Sequence, residues 1–183
     1  MIVVATTTSL PEWIGGVRNW DYRYTWLREA SFTLTSLYVA GYRRKAQAFF
    51  RGLSAVAARQ PTPLQIMYGI EGERTLTDQK QWDSYGGILG AAYIFEREGD
   101  LLTPHQWETL RDEIDYVCAH WREPDNGMWE IRGQLQHSTI GKLMCWLTLD
   151  RGIRSAEMEG WDDDRERWAQ SRDAMRASIL EHG

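Results

Sequence analysis

Two stretches about a hundred residues apart set aromatic rings beside carboxylates and guanidiniums. The first, residues 15–29, carries Trp20, Asp21, Tyr22, Arg23, Tyr24, Trp26, Arg28 and Glu29. The second, residues 123–133, carries Glu123, Asp125, Trp129, Glu130 and Arg132. That mixture suits a sugar. Rings stack on the apolar face of a pyranose, charged groups hydrogen-bond its hydroxyls, and one acid protonates a glycosidic oxygen.

The bulk composition narrows the alternatives. At 183 residues, 43% hydrophobic and 26% charged, the chain is expected to be a single globular domain spanning 1–183. Ten tryptophans are several times ordinary usage; some must pack a core, and the rest could form aromatic platforms. A net charge of -5 and a pI near 5.4 argue against a nucleic-acid surface, which needs a basic stripe. Cys118 and Cys145 lie in apolar helical patterns and read as buried thiols in a reducing compartment. Cys118 and His120 resemble a fragment of a metal motif, but no second pair with ligand spacing follows, so neither metal nor cofactor is expected. Asp162, Asp163 and Asp164 read as a solvated helix start. The segment Met1–Thr6 lacks a basic region and a long apolar run, which predicts no secretory signal, no membrane span and a cytoplasmic location.

The elements that would position these residues are helical. Apolar residues at three- and four-residue steps predict helices over about 25–40, closed by Gly41, and 43–59, ended by Pro61 and Pro63. Residues 64–69 read as extended. A third helix is expected over about 78–97, closed by Gly99. A fourth starts at Thr103, Pro104 and Gln106, a capping box with proline at the first helical position, and stops near Arg122 before Pro124. Asp125, Asn126 and Gly127 form a turn, which places Trp129 and Glu130 beyond a helix end. Helices over about 138–154 and 161–181 complete the set, the last looking peripheral. Six helices with short connections predict stacked αα-hairpins.

At three places the chain resembles family 15 glycoside hydrolases, the glucoamylase and bacterial trehalase-like group. Thr7 to Glu12 leading into Gly15 to Tyr24 is similar to the start of the bacterial catalytic domains. Leu64 to Gly69 with Gly72, Glu73 and Arg74 is similar to a following segment, and Trp121 to Gly133 to the acid-bearing one. The resemblance covers about residues 2–154. It implies an all-α fold, a partial (α/α)6 toroid, and inverting hydrolysis of α-glucosidic bonds in an α-glucoside or glucan. In that reaction an acid protonates the leaving oxygen and a carboxylate roughly 6.5–9.5 Å away activates water.

Carried over position by position, Glu130 matches the general acid. A raised pKa is then required, and the neighbouring indole that excludes water is a means to it. Tyr22, Trp26 and Arg28 match residues lining the pocket for the non-reducing-end sugar, with Arg28 offering a fixed fork to vicinal hydroxyls. Trp26 reads equally as an ordinary core residue. Trp129 reads as a further sugar platform, and Arg132 reads equally as a sugar contact or a helix-end ion pair.

Three departures stand out. Glu29 occupies a position where the family usually has Asp, one methylene shorter, at a sugar contact. Thr75, Leu76 and Thr77 lead almost directly into Gln81, Trp82 and Asp83, where the family usually has a long loop. No segment after Arg154 resembles the one that bears the second carboxylate. These features predict an isolated chain that is inactive because it lacks its base, with an open apolar side covered by a homo-oligomer contact or a partner chain. Three readings stay open: a family 15-like hydrolase, a sugar-binding remnant or one part of a split enzyme, and a helical scaffold whose tryptophans only pack.

Overall fold

The computed structural model describes residues 1–9, 14–16, 19–58, 63–74, 78–130, 132–161 and 164–182. The expectations that rest on Leu10 to Glu12, Val17, Arg18, Arg59, Pro61, Thr75 to Thr77, Ile131, Asp162 and Asp163 lie outside those residues. The described elements are β1 (Thr25–Trp26), α1 (Leu27–Val39), α2 (Arg43–Ala57), β2 (Met67–Tyr68), α3 (Asp83–Arg97), α4 (Pro104–His120), α5 (Thr139–Glu159) and α6 (Arg165–His182).

Helices α1, α3 and α5 lie side by side in one layer, and α2, α4 and α6 back them in a second. Each front helix is followed in sequence by a helix of the back layer, so the chain is a row of three αα-hairpins. The spacing of apolar residues explains which faces meet. In α2, Ala46, Phe49, Phe50, Leu53, Val56 and Ala57 form one buried stripe. Phe50 packs on Phe95 of α3 with ring centroids 4.6 Å apart.

The hairpin turns follow their sequence signals. After α1, Gly41 has φ 80°. Tyr42 N–H donates to the Leu37 carbonyl (2.8 Å) and Gly41 N–H to that of Tyr38 (3.0 Å), a Schellman closure that needs a left-handed residue. Gly99 closes α3 by the same pair of bonds, from Asp100 to Phe95 and from Gly99 to Glu96. Thr103 and Gln106 form the expected capping box. The Gln106 amide also donates to Ser54 Oγ at 2.8 Å, tying α4 to α2.

Three boundaries differ from the periodicity, each for a tertiary reason. Thr25 and Trp26 are extended rather than helical, because they pair antiparallel with Tyr68 and Met67. Helix α3 begins at Asp83, not near Asp78, because residues 80–82 are bonded to the turn at 123–126. Lys80 N–H donates to Asn126 Oδ1 (2.8 Å) and Trp82 N–H to Asp125 Oδ2 (3.1 Å). Helix α5 continues past Arg154 to Glu159, since Ser155 and Ala156 are buried and Ser155 bonds to Glu96 of α3. The last helix is less peripheral than its polarity suggests. Trp168 and Met175 are fully buried, and the Trp168 indole donates to Asp115 of α4 at 2.7 Å.

Close approach of the front helices depends on small residues. A Cβ on Gly86 would lie 2.7 Å from the Met144 carbonyl of α5, and one on Gly87 3.0 Å from Ser31 Oγ of α1. Cys118 and Cys145 are free and buried, as expected. No helix among the described residues is long and apolar enough to cross a membrane.

Candidate active site

A cavity of about 540 Å³ opens where α1 meets the 127–130 turn. Val4, Trp20, Tyr22, Trp26, Arg28, Glu29, Phe32, Met128, Trp129 and Glu130 line it. The two stretches singled out in the sequence therefore meet in space. The approach to α1 supplies Trp20, Tyr22 and Trp26, and α1 itself supplies Arg28, Glu29 and Phe32. The N-terminal segment supplies Val4; it runs antiparallel beside residues 20–24, with Ala5 N–H donating to the Tyr22 carbonyl at 2.9 Å.

Glu130 sits at the end of the turn begun by Asp125. It is 5% exposed and has φ 54°, a left-handed conformation that is uncommon for a residue with a Cβ. Its own N–H donates to the Gly127 carbonyl, closing the turn. The Trp20 indole donates to Glu130 Oε2, and Arg28 Nη2 lies 3.5 Å from Oε1.

Burial raises the Glu130 pKa above the ordinary carboxylate value, and the Trp20 hydrogen bond and the Arg28 charge pull it back only partly. The means differs from the one expected. Trp129, the sequence neighbour, is 78% exposed and stands at the cavity wall. The indole that touches the carboxylate is that of Trp20, and it favours the anion.

Arg28 is the hub of the cluster. Its Nη1 donates to Asp83 Oδ2 (2.8 Å) and to the Met128 carbonyl (2.9 Å), and its Nε to Glu29 Oε1 (3.0 Å). The fork that the sequence offered to sugar hydroxyls is thus largely occupied by the protein. Trp26 fills both of the roles weighed for it, 6% exposed in the core and a wall of the cavity, with its indole donating to the Asp21 carbonyl at 2.9 Å. Arg132 is exposed and outside the lining.

Sequence reading gave no role to Trp20, Phe32, Met128 or Asp83. Trp20 lies in the first stretch and Met128 in the second, but nothing local tells which ring reaches the acid. Asp83 sits 55 positions from its partner Arg28, a pairing that only packing creates. Among the described residues no group of three or more His, Cys, Asp or Glu could hold a metal ion.

Comparison with known proteins adds ancestry. Residues 1–80 and 76–183 match the glycosyl hydrolases of family 15, in two segments that meet where the chain enters α3. The chain is similar to a trehalase of Mycobacterium tuberculosis, 38% identical over 208 aligned positions, covering all of this chain and 31% of the relative. A trehalase of Thermoplasma acidophilum is 30% identical, with 35% of its length covered. The chain thus spans about a third of the length of the curated relatives it matches. Among solved structures, a glycosidase in complex with glucose superposes with TM-score 0.75 at 20% identity, over 88% of this chain and 49% of that one. A glucoamylase from Saccharomycopsis fibuligera superposes with TM-score 0.69 at 15% identity, over 87% and 40%. The all-α arrangement of αα-hairpins is that of the (α/α)6 glycosidases.

Proposed function

The chain belongs to the glycosyl hydrolases of family 15, and on that premise we propose that it forms the acid-bearing part of an inverting α-glucosidase site. Glu130 is the general acid, delivering its proton to the glycosidic oxygen of an α-glucoside such as trehalose or a glucan. The observation that carries this reading is a buried, protonation-prone carboxylate at an aromatic cavity, bonded to an indole and facing an arginine. Tyr22, Trp26 and Trp129 supply ring faces for the sugar, and Glu29 supplies an acceptor. Trehalose is favoured among substrates because trehalases of Mycobacterium tuberculosis and Thermoplasma acidophilum are 38% and 30% identical to this chain.

The base that activates water comes from outside this cluster. Among the described residues the cavity's other carboxylate is Glu29, already bonded to Arg28. The two-segment family match supports the reading that a wall-forming loop is missing near residues 76–80. An apolar trough of about 270 Å³ along α1, α3 and α5, lined among others by Phe32, Ile140, Met144 and Leu147, is where further helices or a second copy would pack. A sedimentation mass of one 21.3 kDa chain at micromolar concentration would exclude the second copy. The two unpaired thiols fit a reducing, cytoplasmic setting.

Glucose release from trehalose and maltotriose, measured beside Glu130→Gln, tests the proposal. Release that Glu130→Gln abolishes supports it; release that survives the substitution overturns the acid assignment. Saturable trehalose quenching of tryptophan fluorescence with no release from either protein favours the sugar-binding reading.

A further inference from the structure

The Arg28 guanidinium faces three carboxylates, and they are not equivalent. Asp83, at the first turn of α3, is 2% exposed and accepts from Nη1 at 2.8 Å. Glu29 accepts from Nε at 3.0 Å and its side chain is one-third exposed. Glu130 is farther away, 3.5 Å from Nη2. The same Nη1 that meets Asp83 also donates to the carbonyl of Met128, two residues before Glu130. The segment entering α3 is bonded to that turn as well, through Lys80, Asn126, Trp82 and Asp125.

We infer that Asp83 is a positioning residue for the acid: it clamps Arg28 by Nη1, so that one guanidinium braces the turn bearing Glu130 while spending most of its charge on Asp83. The charged groups facing Glu130 are Arg28 and Glu29 from α1, with Asp83 of α3 behind the guanidinium. Were Arg28 bonded to Glu130 alone, a full charge-assisted pair would hold the acid ionised and cost it the proton it must donate. Asp83 draws the guanidinium toward α3 and leaves Glu130 only a long contact. Asp83 acts through Arg28; the cavity lining does not include it.

The inference rests on the reading of Glu130 as an acid that keeps its proton, and its test needs no turnover. With carboxyl-labelled glutamate in the full chain, the Glu130 resonance is identified by its loss in Glu130→Gln and titrated by NMR. In Asp83→Asn the Glu130 midpoint is expected to move to lower pH, because a negative neighbour is gone and Arg28 is free to pair with the acid. Asp83→Glu, which restores the charge, is expected to return it toward the wild-type value. A midpoint that stays put or rises in a folded Asp83→Asn chain overturns the inference. If that variant does not fold, the wild type decides. A scalar coupling across the hydrogen bond from Arg28 Nη1 to the Asp83 carboxyl carbon supports the clamp, and its absence under conditions that show other arginine side-chain couplings overturns it. A failed acid assignment would show instead as glucose release unaffected by Glu130→Gln, whatever the titrations give.

Discussion

Burial raises the Glu130 pKa above the ordinary carboxylate value, outweighing the neighbours that favour its anion. A residue of this kind is sensitive to substitutions that change charge without changing shape. In Glu130→Gln the amide oxygen still accepts from Trp20, the cavity keeps its form, and the transferable proton is gone. Glucose release is expected to fall by about 10²- to 10⁴-fold, the usual contribution of a positioned acid, with trehalose binding reduced far less. The sign of the pKa shift also sets the pH profile. Because the folded-state pKa of Glu130 is raised, the acid form persists above the ordinary glutamate range, and release should decline only as pH rises through that elevated value. A profile limited by an acid of ordinary glutamate pKa would contradict the assignment. The conjunction of Trp129 and Glu130 was legible in the sequence as an acid-bearing motif. Which indole would touch the carboxylate was not, since Trp20 is 110 positions away.

Among the elements, α3 decides the most. It packs on α1 through Gly87 and on α5 through Gly86, and its first turn supplies Asp83. Gly86→Ala would set a methyl 2.7 Å from the Met144 carbonyl. Backbone cannot yield as a flexible side chain does, so α3 and α5 must separate. The expected loss is about 1–3 kcal/mol in urea unfolding, with the m-value unchanged. A neutral Gly86→Ala would mean that the two helices are looser than described. Apolar periodicity reveals α2 almost to the residue and α4 by its capping box. It misplaces the start of α3, because residues 78–82 look helical by composition while their hydrogen bonds go to the turn at 123–126 instead. A sequence window cannot see that competition.

At the scale of the whole molecule, two buried glutamates make stability depend on pH. Burial lifts Glu96, between α3 and α5, to about 7 and Glu113, on α4 among Tyr68, Tyr85 and Tyr116, to about 8. Both folded values exceed the unfolded value near 4.5, so the folded chain holds protons that the unfolded chain has released. The stabilisation relative to high pH is complete below about pH 4.5 and is lost as pH rises through about 7 to 8. The burial shifts of Glu130 and Asp125 act in the same direction. The melting temperature should therefore fall between pH 5 and pH 8, and Glu113→Gln, neutral at every pH, should flatten that slope. An equal slope in Glu113→Gln would show that Glu113 is hydrated in solution. Asp112 is the charged neighbour that adds to the effect of burial.

Local order and chemical type were set by the sequence itself. Apolar spacing, Gly41, Gly99 and the Thr103 cap mark out helices that can only pair as hairpins, and the motifs around Tyr22 and Glu130 identify a sugar-handling family. These signals act over a few residues or are carried by identity alone. Tertiary structure decided what depends on partners distant along the chain. It brought residues 20–29 and 128–130 to one cavity and gave Trp20 to the acid. It left Arg132 outside the cavity, on the surface, and divided Arg28 among Asp83, Glu29 and Glu130. The physical reason is that burial and charge pairing, which set the protonation of Glu130, are sums over neighbours that no stretch of sequence contains.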